Sequence, residues 1–392
     1  MEHNKNKAKQ ATGSHLQHYK HLDGLRGVAS LVVVLYHMDV FMGVLVSPNG
    51  LYSQNSVWWQ IYRRILDGNF SVCLFFVMSG YVLLIGFYKR QNDLSYLKES
   101  FIKRYFRLTP LVLASVILAV VLQNTIGFHN AEMAAIVGGH EWLKSNYQSE
   151  LTLTGAIYNG LYSAYIGDTS YNGPLWTIKI ELMGSLFLYL YAALFFVKKN
   201  GAHIIISAIL IYLIEPTLGC YLILFIIGGT ILVYNIKLEP KFILPASILT
   251  VVLATENPWT IEINFLNELT SFSKEGLATL CHSIAAVVLL LIANTSSKLS
   301  NCLSRPVFTF LGKISFSLYV FHIPIIMSIG TALFVYLHDA GITNQFASII
   351  STLVSLLFCV LISWFGYTFI DKPSTKIASL VGDKLNMRAS QL

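Results

Sequence analysis

Long stretches without a charge recur along the chain. Val28–Tyr36, Ile204–Ile214 and Ser348–Val360 carry none. With their flanks, many such blocks reach the ~17–25 residues that cross a bilayer as a helix. Windowed hydropathy places ten spans, at about 27–47, 70–88, 107–126, 175–197, 203–216, 218–234, 241–254, 277–294, 314–337 and 345–370. The fifth and seventh are short, as tilted helices or helices packed inside a bundle would be. Segment 151–166 (Leu151, Leu153, Ile157, Leu161, Tyr165) is amphipathic and suits the outer interface. The pattern predicts an all-α, polytopic transmembrane helical bundle. Its membrane domain covers 23–370, between a basic tail at 1–22 and a C-terminal tail at 371–392. No internal repeat, low-complexity stretch or appended soluble domain interrupts it.

Composition narrows the class. Hydrophobic residues make up 55% of the 392 positions and charged residues 12%, about half the charge of a soluble domain. A disordered chain, a coiled coil and an ordinary soluble enzyme are excluded. The formal net charge of +7 is a matter of placement. With the N-terminus inside, 22 of the 27 lysines and arginines fall on cytoplasmic pieces, the positive-inside pattern. Both termini are therefore expected in the cytoplasm, and the positive charge calls for no nucleic-acid partner. The outer loop 255–276 is acidic (Glu256, Glu262, Glu268, Glu275). The first 22 residues are polar and basic (Lys5, Lys7, Lys9, Lys20) and lack a cleavage site, so they read as a retained cytoplasmic tail. The five cysteines have no CxxC pair and read as small buried hydrophobes, with neither a disulfide framework nor a metal site.

Ionisable side chains at bilayer depth are costly and mark functional positions. Four stand out: His37, Lys179, Glu181 and His322. His203, Glu215 and His282 lie nearer span ends. Arg26 and His37 are eleven steps apart, which returns them to within about 20° of one helix face at about 16 Å of axial separation. Arg26 then stands at the cytoplasmic mouth and His37 about halfway through the bilayer, a spacing suited to a long ligand with an anionic head. Arg104 and Arg107, in FIKRYFRLTP, share a face of the entering third helix. They serve either as topology anchors or as a phosphate site. Glu181, seven residues beyond Pro174, falls ~10 Å below the outer surface, near the depth of His37. There it can orient a histidine or bind an acceptor hydroxyl. His322 is also near mid-depth, just before Pro324. Buried polar contacts between helices are the plainer reading of each.

In this order, the segments LDGLRGVASLVVVLYH (Leu22–His37), FFVMSGYVL (Phe75–Leu83), KRYFRLTP (Lys103–Pro110), PLWTIKIE (Pro174–Glu181), FLGKISFSLYVFHIP (Phe310–Pro324) and FIDKPS (Phe369–Ser374) resemble the acyltransferase 3 family of integral membrane acyltransferases. The resemblance covers the whole membrane region, and the ten spans match the family's usual core. It implies that the essential histidine is His37 with Arg26 as its paired basic residue. It further implies that Arg104 and Arg107 meet the acyl donor, that Glu181 is the acidic residue of the PLW segment, and that Ser79, Trp176, Lys179 and His322 bind substrate or support the site. Lys179 departs from the pattern, since a small polar residue is more usual there. Many relatives carry an extracytoplasmic hydrolase-like domain. Here such a function is expected from a separate chain, if one is needed.

The activity implied is transfer of an acyl group, often acetyl, from a cytoplasmic coenzyme A thioester to a hydroxyl of a cell-surface or lipid-linked glycan. The place implied is the bacterial inner membrane. His37 acts as general base or accepts the acyl group itself. The long outer loop 127–174, with Trp142, Tyr147, Tyr158, Asn159, Tyr162, Tyr165, Tyr171 and Asn172, suits either sugar binding or an interfacial aromatic belt. Two other readings stand beside this one. They are a multispan transporter of acyl groups or small solutes, and an acyltransferase whose acceptor is a small molecule or lipid.

Overall fold

The computed structural model describes residues 2–389 apart from 48, 139–140, 197–215 and 271. Every regular segment among them is helical, and none is a strand. Six helical runs are long and apolar enough to cross a membrane: Val57–Lys89, Leu94–Thr125, Gly173–Phe196, Lys274–Thr295, Pro306–Asp339 and Asn344–Leu380. A seventh candidate is a bent pair, Lys20–His37 and Asp39–Leu45, which meet at 55°. Leu218–Val233 and Pro240–Ala254 are apolar but shorter. At ~1.5 Å per residue they reach less than the ~30 Å of a hydrocarbon core. Nine of the ten predicted spans thus coincide with apolar helices, and six or seven of these have full crossing length. The fifth predicted span, 203–216, lies outside the described residues but for its last position, as do His203 and Glu215.

Two contacts fix the register of the bundle. The opening helix Glu2–His37 lies against helix Pro306–Ile325. A Cβ on Gly27 would stand 2.4 Å from the Gly312 nitrogen, and one on Gly312 would stand 2.1 Å from the Asp23 carbonyl oxygen. Only glycine lets these backbones touch. The glycines of LDGLRG and FLGKISF therefore set the two helices in one alignment, with Arg26 and His37 beside the strip from Ser315 to His322. Helix Gly68–Leu83 is locked to helix Pro216–Val233 in the same way, since a Cβ on Gly80 would be 2.2 Å from the Phe225 carbonyl oxygen.

The apolar interior forms two clusters. One gathers Val33, Val34, Met38, Leu108, Val112, Val116 and Leu318–Met327, and the other Leu22, Leu25, Val72–Met78, Leu188 and Phe225. The opening helix contributes to both, and Phe75 packs against both. The site lies along this seam.

Pro324 shapes the half of the bundle around His322. It has no N–H, so the carbonyl of Val320, four residues earlier, loses its helical donor. Asn172 Nδ2 donates to that carbonyl at 2.7 Å, and the helix continues as a π-turn at Ile326–Gly330. Thr177 Oγ1 donates to the Tyr319 hydroxyl at 2.9 Å, and that hydroxyl to the Pro174 carbonyl at 3.2 Å. Three side chains thus pin the start of the Glu181 helix to the His322 helix.

Candidate active site

His37 is the last residue of the opening helix. The helix breaks at Met38, where the Tyr62 hydroxyl donates to the Leu35 carbonyl and intrudes on the backbone ladder. His37 and His322 meet there, with His37 Nδ1 and His322 Nε2 3.1 Å apart. His322 is fully buried, and its Nδ1 lies 2.7 Å from the Tyr319 carbonyl oxygen. A carbonyl only accepts, so Nδ1 of His322 carries the proton and its Nε2 is the acceptor. His37 Nδ1 faces that acceptor and, at 2.9 Å, the Val33 carbonyl oxygen. It therefore carries a proton too. This leaves Nε2 of His37 with a bare lone pair. The Tyr36 ring stands edge-on to His37 at 5.1 Å, and the Trp142 ring from the long loop 127–174 lies 5.6 Å away. The order of contacts, carbonyl to histidine to histidine, is one that aims a base.

On the Arg26 side of this pair is a cavity of about 200 Å3. Its wall includes Arg26, Arg104, Arg107, Ser79, Glu181, Thr177, Phe75 and Tyr319. Tyr319 closes the end toward the histidines, its ring 6.0 Å from that of His322. His37 is beyond this wall and does not line the cavity. Arg104 pairs with Glu181 Oε1, and its Nε donates to Ser185 Oγ at 2.9 Å. Ser79 Oγ donates to the same Glu181 oxygen at 2.8 Å. Arg107 is held by Asp371. Arg26 feels the charges of Asp23, Glu181, Arg107 and Arg104. Three guanidinium groups and one carboxylate, Glu181, line the cavity and leave that wall net positive, the condition for holding an anion in a low-dielectric setting.

The predicted residues thus divide. His37 and His322 touch each other, while Arg26, Arg104, Arg107, Glu181 and Ser79 share one cavity. Glu181 bonds to Arg104 and Ser79, and no described contact joins it to either histidine. Trp176 packs against Tyr221 with ring centroids 5.8 Å apart and does not line the cavity. Lys179 lies against Gly167 of the same long loop, its Nζ 3.6 Å from where a Cβ on that glycine would stand.

Two charged residues beside the histidines are absent from the sequence-based expectation. Asp39, buried two residues past His37, receives Arg63 Nη1 at 3.2 Å. Arg63 Nη2 also donates to the Tyr36 hydroxyl at 2.7 Å, and the guanidinium lies 3.8 Å from the Tyr36 ring centre. Asp39 could have been found by the rule that flagged His37, since it is a carboxylate inside the first apolar run. Asp371, the partner of Arg107, stands within FIDKPS, one residue past the last predicted span.

A family model for the acyltransferase domain matches residues 19–364, nearly the whole described bundle. The chain belongs to the acyltransferase 3 family. It is similar to the O-acetyltransferase PaAT-1 of Phomopsis amygdali, with 23% identity over 93% of this chain and 84% of that protein. No solved structure gives a significant match. This acyltransferase is thus a multi-pass membrane protein in which a histidine pair and an arginine-lined cavity share one helix seam.

Proposed function

We propose that this acyltransferase is an O-acetyltransferase of the bacterial inner membrane. It moves acetyl from cytoplasmic acetyl-CoA to a hydroxyl of a cell-surface or lipid-linked glycan. The proposal includes ten spans with both termini in the cytoplasm. The observation that carries it is the alignment along one helix of a cationic cavity at Arg26 with a base-bearing histidine at His37. The cavity suits a slender arm, with the anionic head left among the arginines and the thioester end carried past Tyr319 to His37. His37 Nε2 takes the proton of the acceptor hydroxyl as its oxygen attacks the thioester carbonyl. The tetrahedral intermediate collapses with cleavage of the C–S bond, and the imidazolium returns its proton to the departing thiolate. His322 keeps the second nitrogen of His37 protonated throughout. The family fold and the name of the relative PaAT-1 support acetyl transfer to oxygen.

The acceptor arrives on the other side of His37. A second cavity of about 230 Å3 is walled by Gln54, Asn55, Gln60, Asn257, Trp59 and Trp259, with Arg63 and Arg64. Amides and indole faces suit sugar hydroxyls and ring faces. Arg63 joins this wall to Tyr36, the neighbour of His37.

Reconstituted protein given acetyl-labelled acetyl-CoA and a lipid-linked glycan tests the reading. The expected result is alkali-labile label on the glycan, lost by about 10³-fold in His37→Ala at unchanged yield of folded protein. Full activity in His37→Ala overturns the assignment. Label that enters vesicles without forming an ester identifies a transporter instead.

A further inference from the structure

The arginine-lined cavity continues into a larger one at its cytoplasmic end. This outer chamber has a volume of about 380 Å3 and shares Arg26, Arg107, Ser315 and Phe316 with the inner slot. Its remaining cations are Lys313, Lys372 and Lys376. Opposing them are Asp371, already engaged by Arg107, and Asp23, which feels Arg26 and Lys313. Among the described residues no carboxylate pairs with Lys372 or Lys376. The combined space is an arginine-lined slot opening into a larger, positively charged chamber.

We propose that this chamber is the nucleotide site of the acyl donor, and that Lys372 and Lys376 read its ribose 3′-phosphate. The inference rests on the acyl-CoA reading above and adds residues to it. The order of groups in coenzyme A runs from thiol to pantetheine, pyrophosphate and 3′-phosphoadenosine. The order along the wall runs from Tyr319 through the shared Arg26 and Arg107 to Lys372 and Lys376. With the thioester at the Tyr319 end, the pyrophosphate falls at the two arginines common to both spaces. The 3′-phosphate then reaches the lysines that belong to the outer chamber alone. These lysines open the helix Lys372–Ala389, so the FIDKPS segment closes the donor site with one carboxylate on Arg107 and two ammonium groups facing the nucleotide.

Titration calorimetry on the full chain in nanodiscs, with coenzyme A, 3′-dephospho-coenzyme A and pantetheine as probes, tests this. Wild type is expected to bind coenzyme A about tenfold or more tightly than the 3′-dephospho form, the worth of a charge-assisted contact. Lys372→Gln/Lys376→Gln changes two exposed side chains. It is expected to bring coenzyme A down to the affinity of the 3′-dephospho form, with pantetheine unaffected. A preference that survives in the double variant, or is missing from wild type, overturns the lysine assignment alone. Failure of wild type to bind either coenzyme A or pantetheine overturns the donor reading with it.

Discussion

Two arginine clusters flank His37, and they are built differently. On the Arg26 side, Arg26, Arg104 and Arg107 stand around open space whose lining holds one carboxylate, Glu181, and so leaves charge over. On the other side, Arg63 is closed in by Asp39, by the Tyr36 hydroxyl and by the Tyr36 ring face. Its ion pair is matched one to one and contributes no free positive field. The surplus around the cavity suits an anion. The balance at Arg63 makes a clamp, and what it clamps is the break after His37, since Tyr36 and Asp39 bracket the histidine in sequence. Tyr62, next to Arg63, reinforces this by donating to the Leu35 carbonyl. The same residue type thus serves binding on one side and geometry on the other.

Removing one carboxylate from each cluster breaks the comparison most directly. Asp39→Asn leaves Arg63 buried without its counter-charge, and a loss of about 3 kcal/mol is expected. Asp371→Asn frees Arg107, whose side chain is 29% exposed, so about 1 kcal/mol is expected. Removing that negative charge from the proposed donor site should also tighten coenzyme A binding. Thermal unfolding in one detergent, with calorimetry for the ligand, measures both. Equal losses, or weaker binding in Asp371→Asn, would show that the clusters do the same work.

The histidine pair sharpens the contrast at its centre. His322 touches His37 and no other side chain of the proposed chemistry, so it acts as a positioning residue. His322→Leu removes the acceptor facing His37 Nδ1. A fall of about 10²-fold in kcat is expected, with the KM for acetyl-CoA unchanged. His322→Gln keeps an oxygen acceptor and is expected to recover part of the rate. A leucine variant that loses donor affinity and keeps kcat would move His322 out of this role.

Much of this arrangement is legible in the sequence, and the part that is not has a physical cause. Depth along a helix follows from counting residues, so His37 and His322 were expected near one level, and they meet. Counting gives height and leaves azimuth open. Glu181 shares that expected height, yet its helix starts in a 3₁₀ turn at Gly173–Leu175 and turns its carboxylate to Arg104 and Ser79. Asp39 stands inside the first predicted span and was open to the same counting, whereas its partner Arg63 comes from a different helix and only the fold brings the two together. The two short apolar helices show a different limit. Composition marks Leu218–Val233 and Pro240–Ala254 as membrane material, while their length falls short of an upright crossing.

The smallest expected effect concerns the loop that delivers Asn172 to Val320. Asp168 is four residues upstream of Asn172. Partial burial pushes its pKa up, but hydrogen bonds outweigh this, from the Ser170 N–H at 3.0 Å, the Ser170 hydroxyl at 2.7 Å and the Ser163 hydroxyl at 2.7 Å. The net result is a pKa lowered from 3.8 to about 2. A group depressed on folding stabilises the native state above its unfolded pKa, and that stabilisation disappears as pH falls through the folded value. The carboxylate is therefore fully effective at neutral pH, and its contribution declines between about pH 4 and pH 2. Because Asp168 is largely solvated, the loss is small and confined to the loop. Hydrogen exchange at Asn159–Asn172 should rise as pH is lowered through that window, after correction for the intrinsic exchange rate. In Asp168→Asn the loop should exchange faster at neutral pH and lose the acid dependence. An unchanged acid response in that variant would place the sensitivity on another carboxylate and detach this loop from the seating of the PLW segment.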